Sequence, residues 1–146
     1  MGPMPENHAD DWEDRPERRT PPVLGHAGID QDHARVAGAI DRLLNVATRP
    51  EFSRRTNDLI EIWRDHCAYE EALMRESGFP DFESHKKEHR MLSNELAMFL
   101  LTSGRDGLND RKVLFRYLWS WFEAHTEAQD SQLVAFLAER EEAAPD

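Results

Sequence analysis

Apolar residues recur at steps of three and four through most of the chain, which is the spacing of a helix that buries one face. Four segments show this pattern, at about 29–47, 51–77, 82–102 and 109–139. We interpret Pro50 as ending the first helix, Gly78 as ending the second, and Asn109 as the N-cap of the fourth. The short connections favour antiparallel neighbours. The pattern therefore predicts an all-α, up-down-up-down antiparallel four-helix bundle.

The first part of the chain lacks this periodicity. Residues 1–22 carry five of the eight prolines together with many charges. Such a segment is predicted to form an extended arm, because it offers few apolar groups to bury. The bundle should then occupy residues 23–140 and be followed by a short tail at 141–146.

The fourth segment contains an irregularity between His125 and Asp130. Five steps of about 100° place Asp130 some 140° around an ideal helix from His125. The apolar pattern nevertheless resumes at Asp130, Leu133 and Val134, as though one residue had been inserted. This predicts a π-bulge, a feature that is frequent at functional sites.

The residues that interrupt the apolar faces are metal-ligand types. In two pairs, His66 with Glu70 and His85 with His89, the residues stand four positions apart on a helix. Both members of each pair can therefore reach one cavity. Burying so many imidazoles and carboxylates without partners would cost several kcal/mol for each charged group. This argues against a metal-free helical scaffold and predicts a metal centre. Its candidate ligands are His33, His66, Glu70, His85, His89, His125 and Asp130.

The number of donor atoms suggests two ions. Five imidazoles and two bridging carboxylates, with an oxide or hydroxide bridge, nearly fill two octahedral coordination shells and leave one position open to a small ligand. A nitrogen-rich site with bridging oxygen donors suits iron in the Fe(II)/Fe(III) couple. Manganese and cobalt stay open on these residues alone.

Charge and motif content exclude several other functions. The formal net charge of −11 repels phosphate backbones, and the basic residues are scattered, so neither nucleic acid nor an anionic membrane is an expected partner. The chain has no glycine-rich phosphate loop and no Cys-x-x-Cys pair. Its lone cysteine excludes an intramolecular disulfide, and its start lacks a secretory signal. We expect a cytoplasmic protein.

Four ordered motifs resemble those of the hemerythrin family, particularly the single-domain bacterial hemerythrins. They are Gly-His-Ala-Gly-Ile-Asp-Gln-Asp-His at 25–33, His-Cys-Ala-Tyr-Glu-Glu-Ala-Leu-Met at 66–74, Gly-Phe-Pro at 78–80 with the histidine pair that follows, and Trp-Phe-Glu-Ala-His at 121–125 with Asp130. The similarity covers about residues 23–137.

The resemblance implies reversible binding of dioxygen at two iron ions by a carrier or store that is not an enzyme. Glu70 and Asp130 would bridge the two irons. Dioxygen would add to the open position of one iron and be held as hydroperoxide. That iron would be bound by His33 and His66, and the other by His85, His89 and His125.

Two other functions use the same kind of site. One is a sensor of oxygen, nitric oxide or redox state that acts on an unknown protein partner. The other is a di-iron oxidase or peroxidase of the ferritin-like kind. Such enzymes carry Glu-x-x-His pairs, and this sequence has none.

Three residues depart from the hemerythrin pattern, namely Asp32, Cys67 and Thr126, and we expect none of them to contact a ligand. Cys67 is interpreted as a small buried filler, and Glu71 as solvated surface. Thr126 shares a flank of the last histidine with Phe122. These two residues are expected to wall the oxygen pocket.

Overall fold

The computed structural model describes residues 20–106 and 111–143. Within these ranges the regular structure is entirely helical, so the predicted all-α four-helix bundle is confirmed. A short π-helical turn joins α4 to α5, and the three form one continuous rod that supplies the fourth helix of the bundle. The elements are α1 (Ala27–Leu44), α2 (Arg49–Ser77), α3 (Phe82–Asp106), α4 (Arg111–His125), the π turn (Thr126–Asp130) and α5 (Ser131–Ala143).

Helix α1 begins two residues before its predicted start. The side chain of His26 caps it by accepting a hydrogen bond from the amide of Ile29, at 3.1 Å. The carboxylate of Asp30 in the first turn also suits the positive end of the helix dipole. The helix ends at Leu44, three residues before its predicted end.

Pro50 does not stop α1 but lies in the first turn of α2, which corrects the sequence interpretation. Thr48 is the N-cap, and its hydroxyl accepts a hydrogen bond from the amide of Glu51 at 3.2 Å. Proline suits this first turn because its missing N–H would have no partner within the helix. Helix α2 therefore begins at Arg49.

The end of α2 falls where it was predicted. Gly78 adopts a left-handed conformation with φ of 71°, and its amide donates to the carbonyl of Met74. Helix α3 then runs to residue 106, four residues beyond its predicted end. The predicted N-cap Asn109 lies outside the described residues, as do most of the predicted arm and the last part of the predicted tail.

The bundle interior is divided into two apolar clusters with a polar layer between them. Along helix α1 the three regions follow one another: Ile29 belongs to the first cluster, His33 to the polar layer and Val36 to the second cluster. The small apolar cluster consists of Ile29, Met74, Phe79, Leu133 and Val134. The large apolar cluster consists of Val36, Ala37, Ala39, Ile40, Leu43, Val46, Phe52, Leu59, Trp63, Cys67, Leu96, Leu100, Leu114, Phe115, Leu118, Trp119, Trp121 and Phe122.

Helix α1 packs against α2 and α4, and α2 packs against α3 and α5. The polar layer therefore receives side chains from every side of the bundle. Among the helices described, none is both long enough and apolar enough to cross a membrane.

Candidate metal centre

The π turn brings two of the candidate ligands together. The amide of Ser131 donates to the carbonyl of Thr126, five residues earlier, where an α-helix would have a four-residue step. The extra residue returns Asp130 to the face occupied by His125. The Nε2 atom of His125 lies 3.1 Å from Oδ1 of Asp130. The predicted bulge is confirmed.

All seven predicted ligand residues lie in one buried layer, and none is more than 2% exposed. The Nε2 atom of every histidine lies between 2.8 and 3.7 Å from a carboxylate oxygen. The structure thus brings the whole predicted set together. The layer consists of His33, His66, Glu70, His85, His89, His125 and Asp130.

The two oxygens of Asp130 face different histidines. Oδ2 lies 2.8 Å from Nε2 of His33 and 3.6 Å from Nε2 of His66. Oδ1 lies 3.1 Å from Nε2 of His85 and 3.1 Å from Nε2 of His125. This division matches the two groups of histidines that the sequence resemblance implied, and it suits a carboxylate that bridges two ions.

Glu70 divides its contacts less cleanly. Its Oε2 atom lies 3.7 Å from Nε2 of His33. Its Oε1 atom lies 3.1 Å from His89 and 3.3 Å from His85, in agreement with the implied grouping. Oε1 is also the atom that lies 3.4 Å from His66, which the grouping assigned to the other ion.

Unsatisfied polar atoms in this layer test whether it suits a metal. Buried polar atoms in proteins normally have hydrogen-bond partners. In this layer, one possible ligand atom from each of five residues lies within 4.8 Å of the other four. Imidazole nitrogens and carboxylate oxygens are ligands that iron accepts, so the layer can hold metal. Within this layer, the atoms without a hydrogen-bond partner among the described residues are His33 Nδ1, His66 Nε2, His85 Nδ1 and Nε2, His125 Nε2, Glu70 Oε2 and Asp130 Oδ1.

The charges within the layer lower the pKa of both carboxylates and raise the pKa of His33, His66, His85 and His125. Burial would raise the pKa of Glu70, but the surrounding imidazoles, His66 above all, lower it to about 2. Burial would lower the pKa of His66, but Glu70, Asp130 and Asp32 raise it to about 10. The pKa of His85 rises to about 9 against the same effect of burial, through Asp130 and Glu70. A metal that binds these histidines must therefore displace protons.

Comparison with known proteins agrees with this geometry. The family model described as the hemerythrin HHE cation binding domain matches residues 24–137. The chain belongs to the hemerythrin family.

Two relatives of the hemerythrin family show how similar their sequences are to this one. A bacteriohemerythrin of Stenotrophomonas maltophilia (strain R551-3) is 28% identical over 120 residues, which cover 78% of each chain. A bacteriohemerythrin of Ralstonia nicotianae (strain ATCC BAA-1114 / GMI1000) is 29% identical over 120 residues, covering 80% of this chain and 85% of the relative. A search of the solved structures gives no match.

Three carboxylates that are not part of the polar layer contact its histidines. The sequence analysis did not predict any of these three contacts. Asp32 accepts a hydrogen bond from Nδ1 of His66 at 2.6 Å. Glu71 faces Nδ1 of His89 at 3.0 Å, and Glu88 faces Nδ1 of His125 at 3.2 Å. We call Asp32, Glu71 and Glu88 the outer carboxylates.

Two expectations were therefore wrong. Asp32 does contact a candidate ligand, and Glu71 is only 20% exposed and bonded to one. A signal for them exists in the sequence, because Asp32, Glu71 and Glu88 each stand beside a candidate ligand on the same helix. Such a neighbour points about 100° away from the buried face, toward the next helix.

The remaining candidates lie at the edge of the layer. The ring of Phe122 is buried and meets the ring of His33 edge to face, at 5.6 Å between centroids. Thr126 is also fully buried, and its hydroxyl has no hydrogen-bond partner among the described residues. Cys67 is buried in the large apolar cluster, as predicted. The roles of Phe122 and Thr126 as walls of an oxygen pocket stay predictions.

Proposed function

We propose that this hemerythrin-family protein binds dioxygen reversibly at a non-haem di-iron centre and acts as a carrier or store. The observation that carries the proposal is the buried layer of five imidazoles around two carboxylates. Each carboxylate presents its two oxygens to different histidines, as a pair of ions requires.

Asp130 and Glu70 would bridge two iron ions, which His33 and His66 on one side, and His85, His89 and His125 on the other, would hold. When bound, the irons supply the electrons that dioxygen binding requires. The protein's own contribution is to fix the imidazoles and to keep the layer dry. Phe122 and Thr126 are fully buried beside it, so water has little access from their side.

We further propose a binding protein rather than an enzyme. The ligand set is rich in nitrogen, whereas ferritin-like di-iron proteins carry Glu-x-x-His pairs. A cytoplasmic location, and nitric oxide as a second ligand, accord with the sequence and the site. Neither nucleic acid nor a membrane is an expected partner, given the net charge of −11.

Metal analysis and optical spectroscopy test the proposal together. The purified protein should take up two iron ions per chain, and its spectrum should change reversibly when anaerobic and aerated buffer are exchanged. One ion per chain, or binding of zinc alone, would contradict the di-iron centre. Immediate and irreversible conversion to the ferric state would instead indicate a sensor or an oxidase.

A further inference from the structure

The outer carboxylates follow one rule around the bundle. Asp32 on α1 forms a hydrogen bond with a histidine of α2. In the same way, Glu71 on α2 forms one with a histidine of α3, and Glu88 on α3 forms one with a histidine of α4. Each carboxylate thus stands next to a candidate ligand of its own helix and holds a candidate ligand of the next. The two remaining histidines, His33 and His85, have no hydrogen-bond partner at Nδ1 among the described residues.

These bonds determine which nitrogen of each histidine can face a metal. A carboxylate at Nδ1 accepts a hydrogen bond from the N–H there, which keeps the proton on Nδ1 and leaves the lone pair on Nε2. In His66, His89 and His125 it is Nε2 that faces Glu70 or Asp130. The bond at Nδ1 also prevents the ring from rotating. An outer carboxylate therefore has an effect on the metal site without touching it.

The three hydrogen bonds differ in length and in how far the carboxylate side chain is exposed to water. The Asp32 bond is 2.6 Å long and its side chain is 9% exposed. The Glu71 bond is 3.0 Å long with 20% exposure, and the Glu88 bond is 3.2 Å long with 30% exposure. Shorter charged bonds are stronger, and shelter from water reduces competition and screening.

Asp32 also has neighbours at the surface of the bundle. It lines a surface cleft of about 310 Å³ together with Gly28, Gln31, Arg35 and Tyr69. Its second oxygen lies 3.7 Å from the guanidinium of Arg35. Asp32 is thereby held on both sides, with one oxygen on His66 and the other toward Arg35.

We propose that the outer carboxylates are positioning residues that hold three of the five histidines for metal binding, in the order Asp32, then Glu71, then Glu88. The inference rests on the proposed metal centre. It assigns a role in metal retention to three residues outside the ligand set, and it ranks them.

Three nearly isosteric variants test the ranking, namely Asp32→Asn, Glu71→Gln and Glu88→Gln. Loss of iron(II) to a chelator is measured for each full-length protein. Removing a residue that supports a metal ligand typically weakens metal binding about 10- to 100-fold. We expect Asp32→Asn to approach the upper part of that range, Glu71→Gln to have a smaller effect and Glu88→Gln the smallest.

Asp65 provides a matched control. Its side chain is 59% exposed and lies 3.9 Å from the same guanidinium of Arg35. Asp65→Asn therefore removes a charge beside the same arginine and leaves the hydrogen bond between Asp32 and His66 in place. Iron retention should match the unmodified protein. If Asp65→Asn and Asp32→Asn weaken it equally, surface charge explains the effect and the proposal is overturned.

Proton NMR of the metal-free protein gives a second readout. The Nδ1 protons of His66, His89 and His125 should appear as downfield, slowly exchanging signals, and each variant should move only its own histidine's signal. Signals that stay in place overturn the proposal. If Asp32→Asn does not fold, Glu71→Gln must still weaken iron retention more than Glu88→Gln, and the reverse order overturns the ranking.

The two proposals fail in different ways. If the unmodified protein takes up no iron, the proposed function is wrong, while the NMR signals still decide whether the outer carboxylates hold their histidines. If it takes up two irons and all the variants retain them equally well, the centre stands and the positioning role is wrong.

Discussion

The large apolar cluster and the polar layer occupy the same inward face of the same helices but are held together by opposite effects. Leu59 and Glu70 show the contrast, since both lie on α2 and both are fully buried. Burying a leucine side chain contributes about 1.5–3 kcal/mol. Burying a carboxylate costs several kcal/mol unless partners compensate. The apolar cluster therefore stabilises the bundle by itself, whereas the layer does so only when its groups are partnered.

This difference separates two kinds of core residue. A side chain of the apolar cluster is replaceable by another of similar volume at modest cost. A side chain of the layer depends on the charges of its neighbours, so its loss leaves other groups buried without a partner. The first kind of change should affect stability alone, and the second should affect both stability and metal content.

Glu70→Ala should have the largest effect, because Glu70 contacts four histidines within the layer. Breaking a buried pair costs roughly 3–5 kcal/mol, and the bridging position is lost as well. We expect less than one iron per chain and a marked fall in melting temperature. Glu61→Ala, an exposed glutamate of the same helix, is the control and should change neither. A Glu70→Ala variant with two irons would refute the bridging role.

Leu59→Ala should weaken the fold without affecting the centre. Leu59 is fully buried in the large apolar cluster, and truncation of such a leucine costs about 2–5 kcal/mol. Iron content should stay at two per chain in protein that remains folded. Denaturant unfolding and metal analysis on the same sample separate the two properties. Loss of iron in proportion to loss of stability would show that the two regions are not independent.

The sequence predicted the fold and the inner layer for the same reason. Periodic burial identifies inward positions, and a polar residue at such a position is conspicuous because it requires compensation. His66 and Glu70 could be recognised in this way. Asp130 could be recognised only once the extra residue of the π turn was inferred from the resumed apolar pattern.

The outer carboxylates could not be predicted in that way. In the sequence Asp32, Glu71 and Glu88 flank the apolar face and do not interrupt it, and an acidic residue at such a position is ordinary and implies no partner. Their roles depend on which helices are neighbours and on how each helix is rotated, which periodicity determines only coarsely. The misplacement of Pro50 has a similar cause, since a proline after one helix and a proline in the first turn of the next look alike in sequence.

Cys67 lies where the two regions meet, and its replacement should have a small effect. Burial, with Glu70 and Glu71 nearby, raises the pKa of its thiol, so the group stays protonated at neutral pH. We expect Cys67→Ala to cost roughly 1 kcal/mol, the order of one buried methylene-sized group, with unchanged iron content. A thiol reagent should label the unfolded protein and spare the native one. Rapid labelling of native protein would instead support a redox-sensing thiol.

The smallest structural change with a functional consequence is Thr126→Val, which removes one hydroxyl without changing the volume. That hydroxyl is fully buried and has no hydrogen-bond partner among the described residues. An unsatisfied buried polar group is unfavourable, so its removal should raise the free energy of unfolding by about 1 kcal/mol. It is also a place where water can be held beside the site.

We therefore expect the oxygen-dependent absorption of the iron-loaded Thr126→Val protein to decay several-fold more slowly, with unchanged iron content. Thr126→Ile removes the same hydroxyl but adds volume at a fully buried position. It should slow the decay too, with less gain in stability. Comparing the two variants separates the effect of the hydroxyl from that of volume. If the oxygen-dependent absorption of both variants decays at an unchanged or faster rate, Thr126 does not bring water to the proposed di-iron centre.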